Sequence, residues 1–143
     1  EAEAQIERVL ALAARTGLSR VIPETLVTSA RLSIRRGALD AAQAALARAT
    51  EAGDAADLEP AQRAWALYEL ARGGAASACA RMADVLAGPE LDPYERAQSQ
   101  VTYAAALEAA GRAAEADAAR ASADEVFTRL GADPALERRR WSA

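Results

Sequence analysis

Eight glycines partition an alanine-rich chain of 143 residues, and their spacing is what most limits the folds open to it. Gly17, Gly37, Gly53, Gly73, Gly74, Gly88, Gly111 and Gly131 bound segments of 13 to 22 residues. Ala is the best helix former and Gly is worse by about 1 kcal/mol in a helix interior, so glycines recurring in this background mark helix ends. The stretch LVTSARLSIRRG shows how such an end works. Leu26, Ala30 and Ile34 make one apolar stripe, and Arg35, Arg36 and Gly37 stop it. The arginines face the negative end of the helix dipole, and glycine accepts the left-handed backbone that closes a helix.

Pro23, Pro60, Pro93 and Pro134 stand near the other ends, where a missing amide hydrogen costs nothing. Together these marks predict an all-α chain with helices over 2–16, 23–36, 38–52, 60–73, 75–87, 93–110, 112–130 and 134–141. Scattered Val and Ile and few turn dipeptides argue against a sheet. The chain is long enough for one ordinary domain. It begins on Glu1 rather than Met, and we read it as a piece of a larger protein.

What the chain lacks narrows the chemistry. It has no His, no Lys and no Asn, and all 17 basic residues are Arg. Triads built on His, most zinc sites, a lysine-bearing phosphate loop and Schiff-base catalysis are therefore out of reach. Cys79 stands alone in an apolar helical stretch, where a buried structural thiol is expected. Acidic pairs such as Glu1 with Glu3 and Glu115 with Asp117 read as solvated helix faces. No catalytic residue, metal ligand or cofactor is expected, and the chain is not read as an enzyme. A net charge of −4 argues against direct nucleic-acid contact by this segment. The run Arg138-Arg139-Arg140 reads as a basic helix end. The longest strongly apolar run, VLALAA, is far short of a membrane span, and no secretory signal is present.

The glycines also keep a period. Gly37, Gly74 and Gly111 lie 37 residues apart, twice over, and Pro23 meets Pro60 at the same interval. A period of this size, holding two helices and a tight turn, is the mark of an α-solenoid. Seven residues before, five after and twelve after each glycine stand Ala30, Ala42 and Ala49, then Leu67, Cys79 and Leu86, then Ala104, Ala116 and Ala123. This pattern resembles the tetratricopeptide (TPR) repeat, although 37 exceeds that family's usual 34. Arg63 and Gln100 also stand where a large apolar residue is usual, and Arg120 where an aromatic is expected. The resemblance implies one domain over 1–143. Its repeats would lie near 23–52, 60–87 and 93–130, flanked by helices 2–16 and 134–141, with seven to eight antiparallel helices wound in a right-handed superhelix.

The last third carries a second resemblance. Pro93-Tyr94-Glu95-Arg96-Ala97, the turn Ala110-Gly111-Arg112, and Phe127, Leu130, Gly131, Ala132, Ala135, Glu137 and Arg138 are similar to the end of the helical-repeat region of large ATP-binding LuxR-type (LAL, MalT-like) transcriptional regulators. That likeness implies a cytoplasmic, non-catalytic regulatory module of a bacterial protein. Its DNA-binding and ATP-binding parts would lie elsewhere in the full-length chain. A protein–protein interaction scaffold in another signalling protein, for example an ATPase-linked nucleotide cyclase, is the alternative.

In TPR stacks the first helix of each pair lines a concave groove. In this register the groove takes Glu24, Val27, Thr28, Arg31 and Arg35, then Trp65, Tyr68 and Arg72, then Gln98, Val101, Thr102 and Ala105. Its arginines suit carboxylates or phosphates, and its aromatics suit an apolar wall or a cation–π face. A protein partner or a small effector is the expected occupant. Equally, arginines near helix ends stabilise the dipole unaided, and Trp65 can be core. The carboxylate clamp that captures chaperone tails requires Lys and Asn and is excluded.

Overall fold

A computed structural model describes residues 2–18, 21–52, 58–88 and 92–141. All regular structure among them is helical: α1 (Ala2–Thr16), α2 (Val21–Arg35), α3 (Leu39–Ala52), α4 (Leu58–Ala71), α5 (Ala75–Ala87), α6 (Pro93–Ala109), α7 (Ala113–Arg129) and α8 (Pro134–Trp141). The expected break at Gly53 lies outside the described residues. None of the helices is long and apolar enough to cross a membrane.

Five turns share one design. Gly17, Gly37, Gly73, Gly111 and Gly131 have φ between +71° and +80°, the left-handed conformation that costs an L side chain roughly 1–2 kcal/mol. The residue after each glycine donates its amide to the carbonyl five residues back. These bonds run from Leu18 to Ala13, Ala38 to Ser33, Gly74 to Glu69, Arg112 to Leu107 and Ala132 to Phe127, at 2.8–3.1 Å. Together they are the Schellman closure, which satisfies carbonyls that a helix end leaves orphaned.

This geometry corrects the repeat register. At the middle turn the left-handed residue is Gly73, not Gly74. Gly74 (φ −87°, ψ 51°) takes the backbone of Arg112 (φ −97°, ψ 58°), one residue later in its turn. The equivalent glycines are thus Gly37, Gly73 and Gly111, spaced 36 and 38 residues apart rather than a constant 37. Counting from them, the small residues seven before are Ala30, Ala66 and Ala104, and those five after are Ala42, Ala78 and Ala116. All six are fully buried. Leu67 and Cys79 are also buried, but they leave the series. Val85, half-buried, takes the place assigned to Leu86. Where α2 packs on α3 and α6 on α7, small side chains let the two helix backbones approach closely, so alanines and not larger neighbours mark those crossings.

The chain divides within α4, between Tyr68 and Glu69, into two compact units. In the first, α2 packs on α1 and α3. Its core joins Leu10, Leu26, Val27, Leu46 and Tyr68 to the small faces of Ala30, Ala42, Ala45, Ala49, Ala61 and Ala64. In the second, α6 packs on α5 and α7, and α8 rests on both α6 and α7. Ala97, Val101, Ala123, Phe127 and Trp141 form the core there, with Tyr94 edge-on to Phe127 at 5.7 Å between ring centres.

Two helices of the second unit start alike. Asp92 and Asp133 each precede a proline, and each carboxylate accepts an amide at 2.9 Å, from Tyr94 and from Ala135. A side-chain cap with proline just inside the helix sets a sharp N-terminus.

Candidate binding cleft

The second unit carries a cleft of about 520 Å³ lined by Leu70, Val101, Ala105, Glu108, Ala109, Arg120 and Arg138. One of these residues, Arg120, departs from its counterparts in the sequence pattern. Nine residues after the turn glycine, Leu46 and Met82 are fully buried. The third hairpin has Arg120 at that position, only partly buried. A guanidinium cannot be left unpaired in an apolar interior, so Arg120 turns to carboxylates. It binds Glu108 and, at 3.0 Å, Asp117. Arg120 lines the cleft together with Val101, Ala105 and Ala109.

Arg138 forms the second cationic wall. α8 carries it into place because both ends of that helix are fixed. Asp133 caps the start, and at the other end the carbonyl of Trp141 accepts the hydroxyl of the buried Thr102 at 3.0 Å. Trp141 itself is buried in the unit's core. Arg138 pairs with Asp124 of α7 through one terminal nitrogen, Nη1. The residue before Arg138 on α8, Glu137, is buried beside Tyr94. Burial, and next the Glu137 carboxylate, push the Tyr94 phenol above its ordinary value.

The residues expected to line a groove fare differently. Thr102 is fully buried under α8, which corrects its assignment to the groove. Val101 and Ala105 do line the cleft. Tyr68 is buried, and its hydroxyl donates to Gln43 of α3 at 3.1 Å. Trp65 meets Tyr68 edge-on at 5.5 Å and donates Nε1–H to Thr50 at 3.2 Å. Both rings thus pack toward α3 as part of the first unit's core. Val27 and Gln98 are buried. Thr28 and Glu24 border a separate groove of about 400 Å³ between α1 and α2, with Ile6, Val9 and Leu32. Arg31 is half-buried, and Arg35 and Arg72 are exposed.

Arg63, noted as misplaced in an apolar position, is 2% exposed and bonded to Glu59 at 2.8 Å. From Gly73 it is the counterpart of the buried Val27 and Val101, so one helical turn supplies the partner that a buried cation requires. Cys79 is buried, as its setting implied. Glu115 is held below the usual carboxylate range by its hydrogen bonds from Arg112, and Asp117 serves Arg120. Arg138 and Arg140 of the basic run each have a carboxylate partner, Asp124 and Glu137. Among the described residues no group of three His, Cys, Asp or Glu side chains could hold a metal ion.

Arg138, Leu70, Glu108 and Ala109 were not singled out as groove residues from sequence. Arg120 was visible only as a departure from the repeat. No family model, curated protein or solved structure matches the chain.

Proposed function

We propose that the chain is a non-catalytic regulatory module, a TPR-like α-solenoid of the right-handed kind, from a cytoplasmic bacterial transcriptional regulator of the LuxR type. It binds an effector or a protein partner and biases DNA-binding and ATP-binding parts carried elsewhere in the protein. The observation that carries this reading is the threefold recurrence of one unit: a left-handed glycine with a fully buried alanine seven residues before and five after. Repeats of this kind build extended binding surfaces and bring no chemistry of their own. The missing His and Lys support a binding role over an enzymatic one.

The encoding reading frame tests the proposal directly. A helix-turn-helix segment following Ala143, and a reporter gene whose transcription changes when Arg120 or Arg138 is replaced, are the expected results. A cyclase domain or a stop codon in that place overturns the regulator reading and leaves the interaction scaffold.

A further inference from the structure

We infer that the cleft of the second unit is a binding site for a small organic anion, a carboxylate carried on an apolar body. The inference deepens the effector-binding reading above by naming the ligand class. Three observations carry it. First, the cleft is lined at a position where the chain departs from its own pattern: Arg120 stands where Leu46 and Met82 are fully buried apolar residues. Positions where a sequence breaks a local rule that it keeps elsewhere are where function is expected.

Second, the lining has two chemistries. Leu70, Val101, Ala105 and Ala109 give an apolar floor, while Arg120 and Arg138 stand on the walls. At about 520 Å³ the cleft falls within the range of roughly 300–1,000 Å³ typical of small-ligand sites, which favours a small molecule over a docked helix.

Third, the guanidinium groups are held but not saturated. Arg138 gives only Nη1 to Asp124, so its side-on edge, Nε and Nη2, has no acceptor among the described residues. Arg120 spends Nη1 on Asp117 and Nη2 on Glu108, and keeps Nε. The existing carboxylates fix the two groups in place, and the open Arg138 edge has the fork geometry that takes a carboxylate bidentately. Among the described lining residues Glu108 is the one carboxylate, and its Oε2 is bonded to Arg120.

The test titrates the 143-residue chain with decanoate below its micelle concentration, with decyltrimethylammonium and with acetate, followed by amide NMR shifts. Decanoate is expected to saturate and to move the amides of Ala105, Ala109 and Arg138. Acetate lacks the apolar body and decyltrimethylammonium the carboxylate, so each should bind about tenfold or more weakly. Arg138→Gln should weaken decanoate about tenfold while acetate stays weak, with circular dichroism unchanged. Ala105→Leu fills the floor without touching a charge and should abolish saturation. Equal binding of the two decyl probes overturns the site. So does an affinity that neither variant changes, or shifts confined to the α1–α2 groove. Decanoate binding with no reporter response removes the regulator reading and keeps the site. A reporter response without decanoate binding does the reverse.

Discussion

The α2–α3 and α6–α7 hairpins are built on the same frame and finished differently. Each closes on a left-handed glycine, Gly37 or Gly111, and each buries alanine at the two crossing positions, Ala30 with Ala42 and Ala104 with Ala116. Nine residues past the glycine they part. Leu46 is fully buried and completes an aliphatic core, whereas Arg120 bonds Glu108 and Asp117 and lines a cleft. The second hairpin recovers apolar burial from Phe127, Tyr94 and Trp141, the last brought in by α8. Backbone frame and filling are thus separable: turn and alanines recur, while one later position holds a buried leucine in one hairpin and a cleft-lining arginine in the other.

The largest expected effect tests that separation at its sharpest point. Leu46→Ala should cost about 2–5 kcal/mol, the loss of a fully buried leucine with a cavity left behind. Arg120→Ala at the matching position should cost no more than about 1 kcal/mol, because its ion pairs are partly exposed and screened. Urea denaturation of the two variants makes the measurement. Equal losses would mean that Arg120 is as structural as Leu46 and that the two hairpins do not differ in kind.

A second pair of variants asks whether the shared frame is truly shared. Ala30→Leu and Ala104→Leu put three extra carbons into fully buried helix crossings, and each should cost about 1–3 kcal/mol through overpacking. The middle repeat sharpens the question. Ala66→Leu should cost a similar amount, since the corrected register places Ala66 with these two. If Ala66→Leu is harmless while the others are not, the middle repeat does not follow the frame.

The helix boundaries were legible because their punctuation is local. Arginine then glycine stops α2, Asp-Pro starts α6 and α8, and each acts through the backbone of its own few residues. The register of the middle turn was less legible because Gly73 and Gly74 are adjacent, and composition does not reveal which one turns left-handed. A fixed period of 37 chose Gly74, and the alanines at 66 and 78 are what choose Gly73. The site was legible least. Trp65 and Tyr68 are the residue types that line grooves, yet the side chains of Gln43 and Thr50 on α3 draw them into packing. Thr102 is covered by α8, a contact 39 residues along the chain that no local pattern announces. Arg120 stood in plain view as an exception, but its meaning depends on Leu46 and Met82 being buried at equivalent positions.

Turn glycines give the next effect in size. A Cβ added at Gly111 or at Gly37 meets nothing within 4 Å, so strain from positive φ is the whole penalty. Gly111→Ala and Gly37→Ala should each cost about 1–2 kcal/mol, read as a lower midpoint of thermal unfolding. A stabilisation at either site would mean that a continuous helix runs through the turn, since Ala is the better helix former. Gly73→Ala belongs with them, at the same cost.

The smallest effect carries the most information about register. Gly74 has negative φ, so Ala there incurs no left-handed strain. Its new Cβ would meet the carbonyl oxygen of Glu69 at 3.1 Å, a tight contact with the acceptor of the closing hydrogen bond. Yet the equivalent positions in the other four turns hold Leu18, Ala38, Arg112 and Ala132, each closing the same bond at 2.9–3.1 Å with its Cβ in place. The turn therefore accommodates a side chain by a shift of a few tenths of an ångström. Against that small cost stands the reduced freedom of the unfolded chain, worth about 0.4–1 kcal/mol in favour of Ala. Gly74→Ala should accordingly lie within about 0.5 kcal/mol of the parent, well apart from Gly73→Ala beside it. If the two exchange places, with Gly74→Ala costly and Gly73→Ala neutral, the constant 37-residue period is right. Arg120 would then correspond to Ala83 rather than to Met82, and the contrast at the cleft would lose its middle repeat.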